Sequence, residues 1–189
     1  MTQSISDEAY AAQITCMISD IDGVMTDGCL LYDSTNGESK AFHVRDGLGI
    51  QLWRQAGFQF GVITGRKSPM VARRCDELGI VDWVQGHDHK WPAAQEMMRR
   101  WNVRPDQVAY LGDDLPDLAV MSRVTLAAAP ADAARDVIEQ AHWVLRTRGG
   151  QGVVRECVER LLRAGGRWAN AVQSTAFPET VNPDADGTG

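Results

Sequence analysis

The stretch Ile18–Gly28, ISDIDGVMTDG, sets the problem. An apolar run, ITCMIS, feeds directly into Asp20 and Asp22 and then Gly23. Two carboxylates two residues apart on an extended chain point to the same side and repel, and Asp is a poor strand residue. Such a pair is tolerable where a cation sits between the carboxylates or where water reaches them. The rest of the chain decides between these.

Downstream, apolar strand-like runs alternate with helix-like ones. Strands are predicted at ITCMISD, FQFGVIT, VDWVQG, DQVAYLG, VTLAAA and HWVL. CLLYD and SKAFHV flank the turn-rich STNGE and predict a hairpin. A helix is expected from an Asp46 N-cap to a closing Gly57, and another from a Ser68 cap with Pro69 in its first turn. Further helices are expected over KWPAAQEMMRRWN, opened by Pro92, over LPDLAVMSR, ADAARDVIEQA and GVVRECVERLLRAG. Strands alternating with single helices argue an open, mostly parallel α/β sheet. We read 1–13 as an N-terminal segment, 14–165 as one domain, and the Pro-, Gly- and Asp-rich 166–189 as a flexible tail.

Composition narrows the function. The chain has 189 residues, 44% hydrophobic, enough for one substantial core. Net charge is −6 with the basic residues scattered, which argues against nucleic acid as a partner. No basic start precedes an apolar run, and no stretch is long enough to cross a bilayer, so the chain reads as cytoplasmic. Cys16, Cys29, Cys75 and Cys157 form no CxxC and share no ligand spacing with the four His; they read as reduced thiols packed as small hydrophobes.

In an open α/β sheet ligands bind beyond the C-terminal ends of the strands. The first strand ends in Asp20 and Asp22, the second in Thr64, Gly65 and Arg66, and the fourth in Gly112, Asp113 and Asp114; Lys90 comes shortly after the third. Each alone has an ordinary reading, as a helix cap, a turn or a solvated charge. Together on one rim they do not. Four carboxylates would repel by about 4 kcal/mol per pair at ~4 Å and an effective dielectric near 20. A Mg²⁺ ion, which takes oxygen ligands and keeps room for substrate phosphate, relieves this. Thr64 and Lys90 suit phosphoryl oxygens, one Asp can attack phosphorus, and its neighbour can handle the leaving group's proton.

These motifs resemble the haloacid dehalogenase superfamily of phosphohydrolases. DIDGVMTDG, KAFHVRDGLGI, VITGRKSPMVARRCDELGI, VQGHDHK, VAYLGDDLPDLAVM and RGGQGVVRE are similar to the 3-deoxy-D-manno-octulosonate 8-phosphate (Kdo-8-phosphate) phosphatase family within it. The resemblance implies a Rossmann-like fold and an aspartyl-phosphate mechanism serving lipopolysaccharide precursor biosynthesis. It makes Asp20 the nucleophile, Asp22 the general acid and base, and Thr64 and Lys90 the phosphoryl-binding pair. Mg²⁺ would be held by the Asp20 carboxylate, the Asp22 main-chain carbonyl and Asp113, with Asp114 in support. Arg66, Gly65 and Arg45 would read the sugar phosphate.

No cap domain interrupts the chain: the first gap holds only the hairpin, and the second holds one helix. A bare site is open to water and weakly selective. The resemblance implies a homotetramer in which hairpins and C-terminal segments close adjacent sites. The apolar CLLY, otherwise exposed, agrees. A signalling receiver domain shares the acids, Thr and Lys but places its double acid first and lacks an acid at the Asp22 position. Two alternatives stay open, a sialic-acid-type 9-phosphate phosphatase and a phosphatase-like partner of a cytidylyltransferase.

Overall fold

The buried run at Cys16–Ser19 forms β1, the centre of the molecule, in a computed structural model that describes residues 5–35 and 37–177. On one side β1 pairs in parallel with β4 (Gln59–Thr64), and β4 with β5 (Asp82–Gln85). On the other side it pairs in parallel with β6 (Val108–Leu111), then come β7 (Leu126–Ala129) and β8 (Trp143–Val144). The order β5-β4-β1-β6-β7-β8 reverses direction at β1. That reversal opens a crevice at the C-terminal ends of β4, β1 and β6.

Strand alternation distributes the core over both faces of this sheet. Met17, Phe60, Val62, Ala109, Leu111, Leu126 and Ala128 point into one buried cluster. Cys16, Ile18, Ile63, Val108, Tyr110, Ala127 and Ala129 point into another. With both faces covered, the strands read as continuous apolar runs rather than alternating ones. The first face is covered by α1 (Asp7–Gln13), α2 (Val44–Gln55), α3 (Pro69–Glu77) and α7 (Val153–Ala164). The second is covered by α4 (Lys90–Trp101), α5 (Leu118–Met121) and α6 (Arg135–Gln140). The hairpin, β2 (Leu31–Tyr32) and β3 (Glu38–Ser39), forms a separate two-stranded sheet.

Several local expectations change. Asp46 is not the cap of α2. His43 is, with its Nδ1 accepting from the Arg45 amide, and Asp46 lies buried one turn in. There Asp46 Oδ1 accepts from the Arg155 amide at 2.8 Å, so it serves the first turn of α7 from a different helix. Helix α4 begins at Lys90, two residues before Pro92, which a first turn tolerates because those N–H groups have no intrahelical acceptor. The N-terminal segment contains α1, capped by Ser6 and tied down by a bidentate Arg160–Asp7 pair at 2.7 and 2.8 Å. The expected flexible tail from 166 begins instead with α8 (Trp168–Ala176). Its Trp168 lies beneath the guanidinium groups of Arg155 and Arg163, at 4.8 and 4.9 Å, and Ala171 packs on the core. The expectation for 178–189 lies outside the described residues. Of the cysteines, Cys16, Cys75 and Cys157 are buried as expected, whereas Cys29 is exposed.

Candidate active site

Asp20 leaves the end of β1, between β4 and β6, and is 6% exposed. Its amide is anchored on the Leu111 carbonyl at 2.9 Å, which fixes where the carboxylate emerges. Thr64, the last residue of β4, is buried beside it, and its carbonyl is held by the Gly86 amide at 3.0 Å. Lys90, at the start of α4, is buried with its Nζ 2.9 Å from Asp20 Oδ2. An open cleft of about 470 Å³ joins these to Asp22, Gly28, Gly65, Arg66, Asp88, Asp113, Asp114, Pro116 and Asp117. Asp20, Asp22, Thr64, Lys90, Gly65, Arg66, Asp113 and Asp114 are thus brought together as expected.

Arg45 is not among them. It sits in the first turn of α2, donating to the Gln151 carbonyl at 3.4 Å. With Arg146, Arg155, Arg160 and Arg163 it lines a different and larger cleft, of about 730 Å³, that contains none of the strand-end acids. Size does not locate the chemistry here; the converging carboxylates do.

The turn geometry explains the glycine after the two acids. Gly23 has a φ of +93°, and a side chain there would occupy the space of the Asp113 carboxylate. Only a glycine lets the turn after Asp22 close against the acid from β6.

Two residues that sequence reasoning missed organise the site. Asp117 is completely buried in the turn after β6. Its Oδ1 accepts from Lys90 Nζ at 2.7 Å and from the Tyr110 hydroxyl at 2.6 Å. Its Oδ2 accepts from the amides of Asp113 and Asp114 at 3.0 and 3.2 Å. One carboxylate therefore holds both the site's lysine and the acidic loop. Asp114, by contrast, points its carboxylate at the Leu115 amide, 2.8 Å away, as a cap. The signal was present as the third acid of GDDLPD, three residues beyond Asp114. The second missed residue is Lys40 of the hairpin, whose nearly sealed ammonium pairs with Asp22 Oδ1. An isolated lysine after a turn carries no sequence signal for that contact.

The donor set fits a hard divalent cation. Carboxylate oxygens of Asp20, Asp113 and Asp117 lie within 4.8 Å of one another. Asp20 Oδ1 and Asp113 Oδ1 are buried without a hydrogen-bond partner. Burial drives the Asp20 carboxyl upward against the pull of Lys90. Burial, then the neighbouring Asp20 and Asp117, pushes Asp113 up to about 8. Acids in that condition either hold protons or share a cation, and all-oxygen donors with room for water and phosphate suit Mg²⁺.

Comparison with known proteins agrees with this chemistry. Residues 77–156 match a family model described as haloacid dehalogenase-like hydrolase. The chain is 44% identical over 160 residues to the 3-deoxy-D-manno-octulosonate 8-phosphate phosphatase of Escherichia coli, covering 84% of this chain and 85% of that one. The crystal structure of the Yersinia pestis 3-deoxy-D-manno-octulosonate 8-phosphate phosphatase superposes with a TM-score of 0.85 at 39% identity, covering 87% of this chain and 89% of its own. That of Moraxella catarrhalis, solved in complex with magnesium ion, phosphate ion and a KDO molecule, gives a TM-score of 0.86 at 34% identity. The match covers 89% of this chain and 97% of that one.

Proposed function

The chain belongs to the haloacid dehalogenase-like hydrolases, within them to the 3-deoxy-D-manno-octulosonate 8-phosphate phosphatases, and from that membership we propose how its residues carry the reaction. It is a Mg²⁺-dependent phosphatase that hydrolyses Kdo-8-phosphate to Kdo and inorganic phosphate. The observation that carries the assignment of roles is the convergence of Asp20, Asp22, Thr64, Lys90 and Asp113 in one cleft.

Asp20, fixed at the tip of β1, attacks phosphorus, and the bond from phosphorus to the sugar oxygen breaks in line. Asp22 delivers a proton to that departing oxygen, so an alkoxide need not leave as such. Asp22 then takes a proton from water, which attacks the aspartyl-phosphate and restores the Asp20 carboxylate. Thr64 and Lys90 hold the phosphoryl oxygens, Lys90 being aimed by its pairs with Asp20 and Asp117. The Asp20 and Asp113 carboxylates and the Asp22 main-chain carbonyl would hold Mg²⁺, with Asp114 in support. The ion would supply the positive charge that lets a phosphate enter a site lined by acids. Gly65 and Arg66 border the sugar.

We read 14–165 as the phosphatase domain, with α1 and α8 docked on it. The assembly is taken as a homotetramer in the cytoplasm. Leu30, Leu31 and Tyr32 expose apolar surface on the hairpin (42, 54 and 65%), which a neighbouring subunit would cover. All four cysteines are free, in keeping with a reducing compartment. Among the described residues no helix is long and apolar enough to cross a membrane.

The test is phosphate release across a panel of sugar phosphates with Mg²⁺ and with a chelator. Kdo-8-phosphate is expected to have the highest kcat/KM, and Asp20→Asn to abolish turnover without loss of fold. A higher kcat/KM for a nonulosonate 9-phosphate would reassign the substrate; turnover by Asp20→Asn would overturn the mechanism.

A further inference from the structure

Between the general acid and the arginine that borders the sugar lies a row of charges of alternating sign. Asp22 Oδ1 pairs with Lys40 Nζ. Lys40 Nζ lies 3.5 Å from Glu38 Oε1, and the same Glu38 oxygen lies 3.6 Å from Arg66 Nη2. Arg66 Nη2 also donates to the Tyr32 hydroxyl at 3.3 Å. Three of these five residues, Tyr32, Glu38 and Lys40, come from the hairpin or its exit. The hairpin is therefore part of the site within its own chain, whatever its place between subunits.

Glu38 is the joint of the row. Its Oε1 is sealed from solvent yet has no hydrogen-bond partner, because both cations stand just beyond hydrogen-bond reach. A buried carboxylate oxygen shared between two cations is a soft arrangement, since a small movement gives either cation a full charge-assisted bond. Lys40 is likewise divided, between Asp22 and Glu38, and its side chain is only 1% exposed, so no water compensates what it loses. Arg66 faces outward, 43% exposed, and is the member an arriving anion reaches first.

We propose that Glu38 and Lys40 are positioning residues coupling recognition to proton transfer: a substrate carboxylate on Arg66 hands Glu38 to Lys40, which frees Asp22 from the ammonium to carry a proton from solvent to the leaving oxygen. This rests on the Kdo-8-phosphate reading and adds a substrate-sensing role for the hairpin. A sugar phosphate with no carboxylate leaves Glu38 shared and Asp22 held on Lys40. Selectivity then appears in kcat as well as in KM, because a poor substrate is bound without freeing the acid.

The experiment compares Kdo-8-phosphate with a carboxylate-free sugar phosphate of equal leaving group, such as arabinose 5-phosphate, in wild type, Glu38→Gln, Glu38→Asp, Lys40→Met and Lys40→Arg. For Glu38→Gln the ratio of the two kcat values should fall about tenfold, with no rise in KM for Kdo-8-phosphate, because Arg66 has lost a competing anion. Glu38→Asp, which keeps the charge, should recover part of that ratio. Lys40→Met, which leaves Asp22 unheld whatever the substrate, should collapse the ratio by raising kcat on arabinose 5-phosphate, and Lys40→Arg, which keeps the charge, should restore it. An unchanged ratio of the two kcat values in Glu38→Gln or in Lys40→Met would overturn the coupling. A wild type with no preference for the carboxylate-bearing substrate would overturn the substrate reading instead, so the two failures are distinguishable.

Discussion

Replacing Asp117 with Asn tests whether one buried acid holds the site together. The carboxylate accepts four hydrogen bonds, two at each oxygen, and donates none. An amide of the same shape must present an NH₂ group to one of those pairs. If it faces the loop amides, two half-buried N–H groups lose their acceptor. If it faces Tyr110 and Lys90, the tyrosine hydroxyl can turn to accept, but the lysine loses an anion at 2.7 Å and keeps only Asp20 at 2.9 Å. Removing one partner of a buried charge pair costs about 3–5 kcal/mol, and the surviving Asp20 contact argues for the lower end. At roughly 2–4 °C per kcal/mol for a chain of this size, about 3 kcal/mol lowers Tm by roughly 6–12 °C. Melting should be monitored by circular dichroism in chelator, so that bound metal does not add stability of its own. The kcat/KM measured with Mg²⁺ should fall by tens- to a hundredfold, because Lys90 and the acidic loop are both displaced from the reacting phosphate. Asp114→Asn is the control for stability alone: its carboxylate caps an exposed turn, and the expected cost is about 1 kcal/mol or less. A shift below about 2 °C in Asp117→Asn with unchanged kcat/KM, or an equal Tm loss from Asp114→Asn, would refute the reasoning.

Other perturbations read other parts of the molecule. Arg66→Glu places an anion beside Glu38 and removes a charge-assisted contact worth about 1.5–3 kcal/mol, so kcat/KM on Kdo-8-phosphate should drop roughly ten- to a hundredfold. Loss on p-nitrophenyl phosphate should be far smaller; equal losses would remove Arg66 from specificity. Burial raises the Asp46 carboxyl from its ordinary 3.8 to about 6, against the Arg155 amide and the charges of His43 and Arg45. The folded chain then keeps this proton where the unfolded chain releases it. The stabilisation is full below about pH 4, declines as pH rises to about 6, and is constant beyond. Asp46→Asn should flatten that slope and be neutral or stabilising by up to about 3 kcal/mol at pH 7.5, read as Tm against pH; a lower Tm there would contradict this. Leu31→Asp, on the exposed hairpin, should convert the proposed tetramer to smaller species in sedimentation velocity at micromolar concentration. A wild type that sediments as a fully active monomer would dismiss mutual capping.

The fold and most of the site were legible in the chain because local signals there agree with the global arrangement. Apolar runs buried on both faces specify parallel strands, and Ser68 with Pro69 specifies a helix start, as the structure bears out. Acids, Thr64 and Lys90 at successive strand ends converge because every parallel strand points its C-terminal end at the same edge. Why position 23 must be glycine was not legible in the sequence, because what a side chain would strike is the Asp113 carboxylate, distant in the chain. Tertiary structure alone decided which acid does what. Asp46 reads as a local cap but is claimed by α7, 109 residues away, and Asp114 reads as part of the acidic pair but spends its carboxylate on the next amide. Asp117 and Lys40 gain their importance from partners distant in the chain, Lys90 at 27 residues and Asp22 at 18. A buried charge is defined by what it is paired with, and pairing across the sheet leaves no periodicity in the sequence to read.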